Sequence, residues 1–181
     1  MIWLGEKSQD TSNAFKLVSR IVTAIDIERS SGNSSKNKPF DADNLDLLSP
    51  PKTTSIEWRA LDTLLWRPWF TRVWVMQEVI VSKDAIIVCG SHKCPWSQLI
   101  AVARYIERHS IHAITEVDPR TIIKFSVLTS QFHNGQSILL LKLLSQAREA
   151  YSSDDRDKVF ALLGIANDAD YALNRIIRNQ W

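Results

Sequence analysis

LLWRPWFTRVWVMQEV, Leu64 to Val79, places three tryptophans, a phenylalanine, two arginines and a glutamate within sixteen residues of a 181-residue chain that holds seven tryptophans in all. Its aromatics recur at helical spacing and alternate with Val73, Val75 and Met76, which is how a core face is written. Pro68 interrupts the stretch, because proline is tolerated best in a helix's first turn. The expectation is one helix up to Pro68 and a second after it. In the second, Trp69, Val73 and Gln77 form one row, Phe70, Trp74 and Glu78 a second, and Arg72 and Met76 a third.

Working outward, Thr54 and Glu57 have the spacing of a capping box ahead of a helix that buries Ile56, Ala60, Leu61, Leu64 and Leu65. Upstream, Ser12 or Asn13 caps a helix carrying Phe15, Val18, Ile21, Val22 and Ile25, which fades near Glu28. Between these helices, residues from about 30 to 55 are rich in Ser, Asn, Asp, Lys and Pro and read as a flexible insertion. MIWLG at the start reads as a short strand that either joins a later hairpin or pairs with sequence upstream.

Downstream, DAIIVCGSHKCPW predicts a hairpin: a β-branched run to Cys89, a turn from Gly90 to Lys93, then Cys94. Trp96 opens a helix with Leu99, Val102, Ala103 and Ile106 on its inner face. Further helices fit Ile122 to Gln131 and Ile138 to Ala150. In DDRDKVFALLGI, acidic residues lead a row of Val159, Phe160, Leu162 and Leu163, and Gly164 stands where a left-handed C′ glycine would. The fold class is α+β, predominantly helical, with one short β-hairpin and an N-terminal strand.

The totals exclude several classes of function. A net charge of +2, with Lys and Arg scattered along the chain, gives no phosphate-tracking face and so no nucleic-acid partner. No apolar run approaches the ~18 residues of a membrane span. Two cysteines make no disulfide framework, so the expectation is a cytoplasmic protein with reduced thiols. Cys89, His92 and Cys94 are soft ligands, but zinc needs a fourth ligand or three plus water, and the buried-hairpin reading is preferred. With five glycines in the chain there is no phosphate-cradling loop, and no G-x-S-x-G elbow is present. The sequence therefore assigns no catalytic residue, no metal and no cofactor. Arg67, Arg72 and Glu78 are expected to pair with other segments, the arginines clasping the acidic cluster Asp154, Asp155 and Asp157. A ligand carboxylate or phosphate on either arginine is the minority alternative.

Three stretches together resemble the fungal heterokaryon-incompatibility (HET) domain. IWLGE is the first. Arg67, Trp69, Phe70, Arg72, Trp74, Val75, Gln77 and Glu78, followed by Cys89, Gly90 and Trp96, are the second. Asp154 or Asp155, Arg156, Asp157, Lys158, Val159, Phe160, Leu162, Leu163 and Gly164 are the third. The family's usual opening strand and W-I-D-type segment do not precede Met1. The resemblance thus implies the later part of a larger, TIR-like α/β domain, one partial domain over residues 1–181, truncated at its N-terminus. An apolar sheet edge would then be left as a solubility liability. It also implies a death-promoting effector of vegetative incompatibility that works through other proteins, by self-association or an incompatibility partner. A TIR-like NAD-cleaving enzyme, with Glu78 the one motif glutamate to consider, and an inert fragment are the alternatives.

Overall fold

The computed structural model describes residues 1–30, 55–113 and 115–169. Among them run β1 (Ile2–Trp3), α1 (Thr11–Ser30), α2 (Ile56–Leu65), a 3-10 turn (Pro68–Thr71), α3 (Trp74–Val81), β2 (Ile86–Cys89) and β3 (His92–Pro95). There follow α4 (Trp96–Arg108), a second 3-10 turn (Ile111–Ala113), α5 (Arg120–His133), α6 (Leu140–Gln146) and α7 (Asp157–Leu163). Helices dominate and the three strands form one small sheet, so the α+β, mainly helical class holds. The insertion expected at 30–55 lies outside the described residues apart from its two ends, and so does Thr54 of the expected capping box. The chain divides into two compact units: the described parts of Met1–Arg67 with Asp84–Ile123, and of Pro68–Lys83 with Lys124–Trp181. The boundary cuts the tryptophan-rich stretch at Arg67.

In the first unit, α1 packs on α2 and α4. Leu17, Val18, Ile21, Trp58, Leu61, Leu99, Val102 and Ile106 are all buried there. Two expectations shift by one or two residues, though Val18, Ile21 and Ile25 are buried as expected. Burial in α1 falls on Thr11, Ala14, Leu17, Val18, Ile21 and Ile25, with Phe15 and Val22 half-buried. In α2, Trp58 takes the core place expected of Ile56, which is 59% exposed. The N-terminal signal of α1 also lies earlier than Ser12. The Thr11 hydroxyl accepts the Ser8 backbone N–H at 2.8 Å, one half of a capping box, while the Ser8 carbonyl accepts the Thr11 N–H at 3.2 Å in an ordinary backbone turn.

The strand at the start does join the later hairpin. β1 pairs in parallel with β2, Ile2 opposite Ile87 and Trp3 opposite Val88, and β2 pairs antiparallel with β3. The sheet order is β1-β2-β3. Its parallel partner is thus supplied from far along the chain, and β1 stands at one edge of the sheet. The hairpin turn is tighter than expected: Cys89 faces His92 in register, so the loop is Gly90–Ser91 and His92 and Lys93 belong to β3. Both cysteines are free and buried.

In the second unit, α3 packs on α7, and α7 on α6. The helix expected to run on from Trp69 is broken. Pro68–Thr71 is a single 3-10 turn and α-helix resumes only at Trp74, so the rows of four that began at Trp69 and Phe70 do not exist. Proline's fixed φ and missing N–H favour such a short tight turn, and both aromatics are buried edge-to-face with ring centroids 5.0 Å apart. The helix expected over Ile138 to Ala150 is confined to α6. In α7 the core side is Ala161 and Leu162, whereas Phe160 is 55% exposed.

Candidate functional site

The signature residues gather into one cluster in each unit. In the first, Arg67 is an organising post for the chain that leaves β1. Its guanidinium donates to the carbonyls of Leu4 and Glu6, both at 2.8 Å, and reaches the Thr11 hydroxyl at 3.5 Å. The Cys89 thiol lies 3.7 Å from both the Glu6 carbonyl and the Thr11 hydroxyl. Gly90 donates its N–H to the Gly5 carbonyl at 3.0 Å. Its φ is +55°, and a Cβ built there would sit 2.7 Å from the Lys7 Cβ and 3.0 Å from the Lys7 backbone nitrogen, so only glycine fits without strain. Trp96 is buried at the start of α4 and donates its backbone N–H to the Ala85 carbonyl at 2.8 Å. IWLGE, Arg67, Cys89 and Gly90 thus belong to one knot.

The second cluster joins the other two motifs, and not by the clasp expected. The Tyr151 N–H donates to the Thr71 carbonyl at 2.6 Å and the Val73 N–H to the Tyr151 carbonyl at 3.0 Å, a short parallel bridge around Arg72. Further on, Gln77 of α3 lies against Gly164 at the end of α7; an added Cβ there would be 2.8 Å from the Gln77 amide nitrogen. Gly164 has an ordinary helical φ of −69°, so its small size, not a left-handed turn, explains the residue. The Trp69 indole N–H donates to Glu78 at 3.2 Å.

The acidic cluster is occupied locally. Asp154 accepts from the backbone and guanidinium of Arg156, the closest contact 2.7 Å, and that guanidinium holds its carboxyl below the usual carboxylate range. Asp155 lies 3.7 Å from Lys158, and Asp157 opens α7. Within the second unit, the clasp of Arg72 onto these aspartates is not made. Closing a ring two residues long costs far less chain entropy than ordering a remote pair, and Arg67 finds its acceptors in backbone carbonyls. Arg72 presents an exposed side chain.

Two residues outside the motifs matter to this architecture. Asn167 receives the Ile138 N–H at 2.7 Å and returns its own N–H to the Ile138 carbonyl, and Asp168 receives the Leu140 N–H at 2.7 Å. Together they satisfy donors at the start of α6, where the N-cap position is a leucine that cannot. Nothing in their local sequence announces a partner some 28 residues away.

One side of α3 is open to solvent. Trp74, Gln77, Glu78, Val81 and Ser82 line a shallow groove of about 370 Å³, the spacing of a single helix face. Glu78 is exposed, Trp74 and Gln77 are half-buried, and Val81 is 45% exposed. A second recess, of about 430 Å³, is lined by Glu107, His112, Glu116 and Asp118 with Arg120. It holds no signature residue, and its Asp118 is already neutralised by Arg120 at 2.8 Å. Among the described residues, no three His, Cys, Asp or Glu side chains converge as metal ligands, and no helix is long and apolar enough to cross a membrane.

Fold and site together define a helix-rich α+β protein whose described signature residues chiefly tie its segments together, with Trp74, Gln77 and Glu78 on an open face of α3. Residues 1–78, less than half of the chain, match the family model of the heterokaryon incompatibility protein (HET). The match ends at Glu78, so Cys89, Gly90, Trp96 and Asp154 to Gly164 lie beyond it. No curated protein and no solved structure matches the chain. The family match points to a function related to heterokaryon incompatibility.

Proposed function

We propose that this chain serves as an effector or signalling module of vegetative incompatibility, promoting programmed cell death in the cytoplasm after unlike hyphae fuse, through contact with other proteins or with itself. The observation that carries this reading is the HET match over residues 1–78. Support comes from how the signature residues are used. Arg67, Cys89, Gly90, Gln77 and Gly164 are committed to holding segments together, while Glu78 and Trp74 lie on an accessible helix face, an arrangement suited to presenting a surface.

The test is inducible expression of the 181 residues in fungal hyphae, scored with a vital dye. Dye-positive cells should accumulate on induction, and Glu78→Lys should abolish their accumulation while the protein stays folded. Healthy hyphae at full expression overturn the proposal. A second reading, cleavage of NAD, draws on the Glu78 carboxylate standing at an open groove. Following nicotinamide release from NAD incubated with the purified chain decides it, and killing without release removes it.

A further inference from the structure

We infer that the α3 groove takes a cationic side chain, an arginine or lysine from a basic segment of a partner protein; this rests on the reading of the chain as an interaction module and names the chemistry of its partner. The groove brings together one carboxylate, one indole, a carboxamide and an aliphatic floor: Glu78, Trp74, Gln77 and Val81. Glu78 accepts one hydrogen bond, from the Trp69 indole N–H at 3.2 Å. That neutral donor fixes the carboxylate in place and leaves its charge uncompensated. Among the described residues no lysine, arginine or histidine lies within ion-pair distance of Glu78.

Trp74, Gln77 and Val81 favour a cation over an anion, while the carbonyl of Ser82 at the groove's end is met by the His133 ring at 3.3 Å. The Trp74 indole face attracts cations through its ring quadrupole. The Gln77 side chain offers an amide oxygen, its nitrogen being turned toward Gly164. Val81 provides an apolar surface along which the methylene stem of arginine or lysine lies. Guanidinium matches best, since it stacks on an indole and forks onto a carboxylate in one pose. Two other charged sites among the described residues lack this combination. The Asp154 turn is saturated by its own Arg156, and the recess at Asp118 carries its own Arg120.

The test uses the whole chain and a synthetic peptide alternating arginine and leucine. Its control is the same peptide with citrulline in place of arginine, which keeps the size and removes the charge. Indole N–H signals of Trp69 and Trp74 are followed by NMR during titration. The arginine peptide should shift both signals saturably, and raising salt from about 50 to 500 mM should weaken binding several-fold, because exposed charge pairs are screened. Glu78→Gln retains the acceptor for Trp69 while removing the charge; it should bind about tenfold more weakly, with an unchanged melting temperature.

Equal binding of the citrulline peptide, preference for a glutamate-leucine peptide, or salt-independent binding by the unmutated chain overturns the inference. The salt series needs no variant and so stands even if Glu78→Gln does not fold. Binding in solution combined with no killing in hyphae sinks the proposed function and leaves the groove's chemistry intact. Killing with no arginine binding does the reverse.

Discussion

Gln77 and Gly164 meet side chain to backbone where α3 crosses α7, close enough that a methyl group on Gly164 would come within 2.8 Å of the Gln77 amide nitrogen. Two residues separated by most of the second unit's sequence are thus one packing feature. The atom in the way is the end of a flexible side chain, and Gly164 has helical φ, so alanine meets displacement and not backbone strain. Gly164→Ala should move the melting free energy by less than about 1 kcal/mol, helix propensity offsetting the displaced glutamine. In the Gln77→Ala background the same change should become stabilising by about 0.5 kcal/mol. A double-mutant cycle from urea denaturation reads the coupling.

Gly90 is the opposite case. Positive φ and the backbone of Lys7 both oppose a side chain there. Gly90→Ala should cost about 1–3 kcal/mol, read as a lower urea midpoint with unchanged slope. A loss under 0.5 kcal/mol would show that the Lys7 segment yields without cost.

Arg67 holds the Leu4 and Glu6 carbonyls with the fork of one guanidinium. Lysine offers a point charge and no fork. Arg67→Lys should therefore recover only part of the roughly 1–3 kcal/mol lost in Arg67→Ala. Hydrogen exchange at Leu4, whose N–H donates to the Val88 carbonyl at 2.8 Å, should quicken in both variants, and more in Arg67→Ala. Unchanged protection in both would remove Arg67 from its organising role.

Burial pushes the Cys94 thiol up to about 11 from an ordinary 9.0, and burial, aided by Glu28, pushes the Tyr105 hydroxyl to about 12 from 10.0. Both groups ionise more readily in the unfolded chain. Their neutral forms favour folding below pH 9, and that contribution is lost as pH rises from about 9 through 11 and 12. Urea midpoints at pH 8 and pH 10.5 should show the fall, which Cys94→Ala should reduce. At pH 8 neither buried cysteine should react with a maleimide until the chain unfolds.

The two units also show where sequence reasoning reaches and where it stops. The inner face of α4, the extent of α5 and the existence of the hairpin were legible, because each depends on periodicity or turn chemistry within a dozen residues. The break between Trp69 and Trp74 was not, since a 3-10 turn and the first turn of a helix share the same apolar spacing over so few residues. The family resemblance was legible over residues 1–78, but the roles of its residues were not. Arg67 looks like a salt-bridge donor in sequence and serves backbone carbonyls in the fold.

The sequence by itself determined the helical character, the hairpin and the HET signature, all written in local spacing and residue identity. Only the tertiary structure decided that Ile2 and Trp3 pair with β2, that Asp154 closes on Arg156, that Gln77 lies against Gly164, and that Glu78 stands exposed beside Trp74. The physical reason is common to all four. Which acceptor a donor finds, and which face a helix leaves bare, depend on loops closing over tens of residues, and periodicity carries no record of that closure.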